Sequence, residues 1–201
     1  MRHAALAAML LLARTALAAP SLLHNGSFER GDFAHWALTG NTEYSQVFDQ
    51  DYDGLTPHGG QDYALLGPQD ADGILSQSFA DTAGQALTIS FWLASNGGTT
   101  DFFSANFDGK TLMQVSDTGA FGWRHYTDTV TGTGDDTLSF SFLDDQDYLA
   151  LDSVRVTQTP AGAGRLRAGG PIPEPATLVL IPALLLALTL LRRQRPRDSS
   201  W

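Results

Sequence analysis

The sequence predicts an all-β fold, an antiparallel β-sandwich held between two apolar targeting segments. Two observations inside the chain carry this. Apolar residues recur with a period of two, as in Leu87, Ile89, Phe91 and Leu93 against Thr88, Ser90, Trp92 and Ala94. Turn pairs such as Asp53-Gly54, Gly59-Gly60, Asn96-Gly97-Gly98 and Gly132-Thr133-Gly134 interrupt these runs, and no stretch of about 12 residues has a helical period. The third observation concerns the ends, where one apolar run follows a basic start and another precedes an arginine cluster. About ten short strands with frequent turns pack as two antiparallel sheets.

Residues 1–18 read as a signal peptide. Met1-Arg2-His3 is followed by an apolar run over 4–13 and by Ala16-Leu17-Ala18, the small residues of a signal-peptidase site. Ten apolar residues are too few to span a bilayer, which needs about 20. Cleavage falls after Ala18, since a cut one residue later would leave Pro20 directly behind it.

Residues 19–158 form the sandwich domain. Candidate strands lie at 22–28, 36–38, 44–48, 63–66, 74–79, 87–93, 102–107, 111–115, 126–130, 138–142 and 148–156. Phe107-Asp108-Gly109-Lys110 has the composition of a two-residue hairpin turn. The chain has no cysteine, which excludes disulfides, thiolate nucleophiles and cysteine metal sites. Between 20 and 160 there are twenty Asp/Glu against Arg30, Lys110, Arg124 and Arg155, a net charge of −16. Such a surface repels phosphate backbones, so no nucleic-acid partner is expected. It suits divalent cations, or solubility outside the cell.

Residues 159–172 are a Gly/Ala/Pro-rich linker without periodicity. Pro173-Glu174-Pro175, an apolar run over 176–191, Arg192-Arg193-Gln194-Arg195 and a tail over 196–201 follow. The run predicts one C-terminal transmembrane helix of roughly 24 Å, short for the hydrocarbon layer of about 30 Å but extended by snorkelling arginines. Arg192, Arg193 and Arg195 act as a stop-transfer and set the topology, domain outside and tail inside.

This ending resembles the PEP-CTERM sorting signal of Gram-negative bacteria, with Pro173, Glu174 and Pro175 matching its motif. The resemblance implies processing by the transpeptidase exosortase. It also implies export through the inner membrane, transient anchoring there, and a place on the cell surface or in an exopolysaccharide-rich biofilm matrix. Pro182 interrupts the apolar run. A permanent single-pass anchor is the other reading of the same residues.

Asn25-Gly26-Ser27-Phe28-Glu29, then Gly31-Asp32-Phe33 and Trp36, look like the opening of carbohydrate-binding-module-like (galactose-binding-like) jelly rolls. Pro57-His58-Gly59-Gly60, Ile89-Ser90-Phe91-Trp92 and Leu151-Asp152-Ser153-Val154 extend the likeness. The resemblance implies first and last strands side by side, with a structural Ca²⁺ there. Glu29 and Asp152 match its carboxylates, and main-chain oxygens near Ser27 and 58–61 complete the shell. Their alternative role is to hydrogen-bond neighbouring loops. Asp49, Asp51 and Asp53, with Gly54 in sixth position, are a second Ca²⁺ candidate, although Gly60 stands where an EF-hand needs Glu.

Sugar rings stack on flat aromatic faces, so Trp36, Tyr52 and Trp92, with Tyr44, Trp123 and Tyr126, are candidate platforms. Trp92 alternates away from the apolar face of its strand. No catalytic residues are assigned: HExxH, GxSxG, GxGxxG and P-loop patterns are absent from the sequence. The sequence therefore predicts a non-enzymatic structural or adhesive surface protein, or alternatively a module binding a surface or matrix glycan.

Overall fold

The structure, a computed structural model, describes residues 19–98 and 100–159. The expected signal peptide, PEP motif, transmembrane run and arginine stop lie outside the described residues. Ten strands follow in order: β1 (Ala37–Gly40), β2 (Ser45–Phe48), β3 (Tyr63–Leu66), β4 (Gly73–Ala80), β5 (Ala86–Ser95), β6 (Asp101–Phe107), β7 (Lys110–Ser116), β8 (Phe121–Thr131), β9 (Asp135–Asp144) and β10 (Leu149–Gln158). They form two five-stranded sheets, ordered β1-β4-β9-β6-β7 and β2-β3-β10-β5-β8, with antiparallel pairs throughout. Among the described residues no helix is present.

Period-two alternation drives the packing. Leu87, Ile89, Phe91 and Leu93 of β5 meet Phe103, Ala105 and Phe107 of β6 and Leu138, Phe140 and Phe142 of β9 in one buried core between the sheets. Phe140 is its aromatic centre, with Phe91 at 5.2 Å, Phe103 at 5.6 Å and Trp36 at 6.1 Å between ring centroids. Asp108 and Gly109 both have positive φ, 49° and 75°, which joins β6 to β7 by the two-residue turn their sequence predicts.

The strand expected at 22–28 is not formed. Asn25 and Phe28 take positive φ, and the chain turns back through Phe28 N–H to Asn25 O at 3.2 Å and Gly31 N–H to Phe28 O at 2.9 Å. The segment still runs beside β10. Leu22 N–H donates to Val156 O at 2.7 Å and Val154 N–H to Gly26 O at 2.8 Å, without a continuous ladder.

Candidate functional site

The outer face of the sheet β2-β3-β10-β5-β8 carries a second, smaller apolar cluster. Leu55, Tyr63, Leu65, Ala94 and Ala150 form its buried part, and Phe48, Tyr52, Trp123 and Tyr148 pack on them. The loop over residues 49–62 crosses this face and is tied down by the polar ends of the aromatics beneath it. Tyr63 Oη donates to Leu55 O at 3.0 Å and Gln50 O at 3.2 Å, and Trp123 Nε1 donates to Thr56 O at 2.9 Å. Burial, then the nearby Asp51, pushes the Tyr63 phenol up to about 12. Asn96 Nδ2 donates to Tyr52 O at 3.4 Å.

Two carboxylates fasten the end of this loop. Both Glu29 oxygens accept from Gln61 N–H, at 3.0 and 3.1 Å, and Oε1 also from Asp62 N–H at 3.2 Å. Asp152, fully buried on β10, accepts from Gly59 N–H at 3.0 Å and from Ser153 N–H. Burial drives the Asp152 carboxyl up to about 6 against these hydrogen bonds. Glu29 and Asp152 thus both fasten residues 59–62. The space beside Gly60 is filled by the Glu29 carboxylate itself, since a Cβ at that position would overlap it. Both carboxylates here accept main-chain N–H groups, which is the loop-bonding role the sequence also allows. Among the described residues no three His, Asp or Glu side chains converge as a metal cluster.

Asp49 and Asp53 are exposed, while Asp51 Oδ1 caps a tight turn by accepting Gly54 N–H at 2.8 Å. Tyr52 and Leu55 close that turn with reciprocal main-chain bonds of 2.9 Å.

The aromatic candidates separate. Trp36 is not a surface platform: only 7 % exposed, it sits in the core between the sheets and donates Nε1–H to Asn25 O at 3.0 Å. It precedes β1, where the folded-back 25–36 segment carries it inward against Phe28. Tyr52 is half-buried, edge-on to Tyr148 at 4.7 Å. Trp92 lies on the outer face, as its alternation requires, but two imidazoles stack on it, His58 at 3.8 Å and His125 at 4.9 Å. Desolvation and then His125 hold the His58 imidazole below its ordinary range. Tyr44 is exposed, and Tyr126 stacks on Phe91 at 5.4 Å.

Sequence reasoning missed the open pocket at the loop end of this face. Its volume is about 300 Å³, and it is lined by Asp53, Gly54, Leu55, Ser95, Asn96 and Phe121 with Ala120 and Gly122 at the edge. Three distant segments meet here, so no local pattern marks it. Leu55 belongs to the same outer cluster as Trp123. A Cβ at Gly54 or Gly122 would meet nothing within 4 Å, which leaves open space beside the backbone at two edges of the pocket.

Among solved structures, this chain is similar to TmCBM61 in complex with β-1,4-galactotriose, with a TM-score of 0.57 and 20 % identity over 70 % of this chain and 99 % of that one. It is similar to the K1 cleaved adhesin domain of Lys-gingipain from Porphyromonas gingivalis W83, with a TM-score of 0.50 and 14 % identity over 66 % of this chain and 96 % of that one. The CBM22-1 xylan-binding domain of Paenibacillus barcinonensis Xyn10C aligns with a TM-score of 0.49 and 17 % identity over 72 % and 97 % of the two chains. A scan against protein-family models and a search of curated proteins gave no match. The likeness to the first two establishes the fold alone, a β-sandwich jelly roll.

Proposed function

We propose that this chain is an exported, exosortase-sorted surface or matrix protein whose sandwich adheres by binding a glycan. The observation that carries the glycan reading is the open pocket. Its lining combines a carboxylate and a carboxamide residue, Asp53 and Asn96, with apolar Leu55 and Phe121. Sugar recognition needs this mixture, polar groups for hydroxyls and apolar surface for ring C–H faces. The galactotriose complex of a similar fold supports the same reading.

Affinity electrophoresis in gels containing β-1,4-galactan, xylan or the producing cell's own polysaccharide tests it. One of these retards the wild-type chain, and Asn96→Ala and Asp53→Asn each weaken retardation about tenfold while the chain stays folded, with a cooperative melting transition. No retardation by any of them would sink the glycan reading. Catalysis forms no part of it. Asp144 and Asp152 carry displaced pKa values of about 6, but both are buried and neither lines the pocket.

Sorting rests on Pro173-Glu174-Pro175, the 176–191 apolar run and the arginines that follow. Mass spectrometry of the mature C-terminus finds the tail removed in cells with exosortase and retained without it. An intact C-terminus in both identifies a permanent anchor. A structural Ca²⁺ bound through Glu29 and Asp152 completes the reading. Melting in Ca²⁺ then exceeds melting in EDTA, and superimposable curves exclude the ion.

A further inference from the structure

At the loop end of the sandwich two carboxylates are buried face to face. Asp101, which opens β6, is 4 % exposed, and its register partner Asp144, which closes β9, is 1 % exposed. Asp101 is satisfied by Thr118, accepting its N–H and its hydroxyl, each at 3.0 Å. Asp144 Oδ1 accepts from Asp147 N–H at 2.9 Å and Gln146 N–H at 3.3 Å, but its Oδ2 is buried with no hydrogen-bond partner among the described residues.

Among the described residues, the charged side chains on the loops around the pair are acidic. Asp145 and Asp147 lie on the β9–β10 loop, Asp117 on the β7–β8 loop and Asp70 on the β3–β4 loop, whose N–H bonds Asp145 Oδ1 at 2.8 Å. Tyr148 follows on the β9–β10 loop, its phenol raised chiefly by burial. The basic residue of β8, Arg124, is placed over the Phe121 ring at 4.3 Å. Two ionised carboxylates opposed in a desolvated place repel strongly, and one proton on Asp144 relieves the repulsion. Burial, then Asp101 and Asp147, raise the Asp144 carboxyl to about 6 against its two main-chain hydrogen bonds.

The pair holds the loops that frame the open pocket. Asp101 grips Thr118, two residues before Ala120, and Asp144 sits against Gly98, two residues after Asn96. A Cβ on Gly98 (φ +113°) would lie 3.2 Å from Asp144 Oδ1, and one on Gly97 would lie 3.1 Å from Ala120 N, so the two loops close directly on each other. Asn96 N–H is itself bonded to Tyr148 O at 3.1 Å.

We propose that the Asp101–Asp144 pair is a proton-operated clasp on these loops, ordering the pocket when Asp144 is protonated and loosening it when both carboxylates ionise. As regulation of that pocket, it rests on the glycan reading. Because the folded-state pKa is raised above the usual carboxylate value, the clasp's stabilisation is full in acid and is lost as pH rises through about 6.

The test uses the full chain in detergent at pH 5.0 and 7.5, as wild type, Asp144→Asn and Asp101→Asn. Three readouts are taken: melting temperature, hydrogen exchange at residues 96–98 and 117–120, and retardation by soluble β-1,4-galactan. The wild type is expected to melt about 5 °C lower at pH 7.5 than at pH 5.0, more than either variant does. Its loop amides should exchange at least about tenfold faster at pH 7.5, after correction for intrinsic rates. Asp152 titrates in the same window, but equally in all three proteins, so the difference between them isolates the clasp. Equal melting shifts in all three overturn the clasp. If CaCl₂ at pH 7.5 restores the wild type but not Asp144→Asn, the pair is a cation site and the proton mechanism is overturned. A normal clasp response without galactan retardation at either pH counts against the glycan reading. Retardation that is equal at both pH values with a normal clasp response overturns the regulatory role alone.

Discussion

Single residues on the outer face hold a loop that the sheet would not hold by itself. Tyr63 is fully buried, and its hydroxyl takes up two carbonyls of the crossing loop, at Gln50 and Leu55. Tyr63→Phe removes this shared bond, leaving Leu55 O only the Tyr52 N–H, and should cost about 1 kcal/mol in urea unfolding. Gly60 and Gly109 supply a matched pair of glycines, with φ of 74° and 75°. A Cβ at Gly109 meets open space, whereas one at Gly60 overlaps the Glu29 carboxylate. Gly109→Ala therefore costs about 1 kcal/mol of backbone strain alone. Gly60→Ala should cost at least about 1 kcal/mol more, because Glu29 must also surrender its bonds to Gln61 and Asp62. Equal losses in chemical denaturation would mean that the Glu29 clasp on the loop contributes nothing.

At the scale of elements, what was legible in the sequence was whatever repeats locally. β5 and β9 alternate strictly, Leu87 to Leu93 and Leu138 to Phe142, and both stand as central strands. The β6–β7 turn was legible because Asp-Gly is one of the few pairs that accept positive φ twice. β10 was legible only up to Asp152. There its register against β5 shifts, Ser153 takes a φ of 53°, and the inward set passes from Leu149 and Leu151 to Val154 and Val156. A bulge of this kind reverses the facing of every residue beyond it, and no propensity marks its position. The segment at 22–28 reads as a strand because Leu22, Leu23 and Phe28 are apolar, yet Asn25 and Phe28 sit in the left-handed region. Trp36 misleads for the same reason, since its place in the core is set by that fold-back and not by a strand period. The loop over 49–62 is the element whose order depends most on tertiary contacts. Trp123→Phe keeps the ring but removes the bond to Thr56 O. Amides over 53–56 should then exchange about five- to tenfold faster while those of β5 and β9 stay unchanged. Uniform acceleration across the sandwich would show that the loop and the sheets open together.

At the scale of the whole molecule, charge is divided as sharply as hydrophobicity. The stretch from 20 to 160 carries −16, while six arginines lie from 165 to 197. Within the domain the acidic side chains are spent largely on main-chain N–H groups: Asp101 on Thr118, Asp108 on Thr137, Asp136 on Thr133, Asp144 on Asp147 and Asp152 on Gly59. Such bonds fix turns without neutralising charge, so the mutual repulsion of the carboxylates persists in the folded state. Salt screens that repulsion over a distance of about 10 Å at 0.1 M and about 3 Å at 1 M. It also weakens attractive pairs, but four basic residues among twenty acidic ones leave few of those to lose. Melting of the chain at pH 7.5 should therefore rise by several degrees, on the order of 1 kcal/mol, between 20 mM and 500 mM NaCl. Sodium chloride is the right probe because chloride and sodium salt proteins out weakly, whereas sulfate would stabilise any fold by exclusion from its surface. At pH 5.0 the gain should shrink, since Asp144 and Asp152, with pKa values of about 6, have taken up protons and the repulsion is already smaller. A melting temperature that falls with salt at pH 7.5 would mean that attractive ion pairs outweigh carboxylate repulsion in this fold.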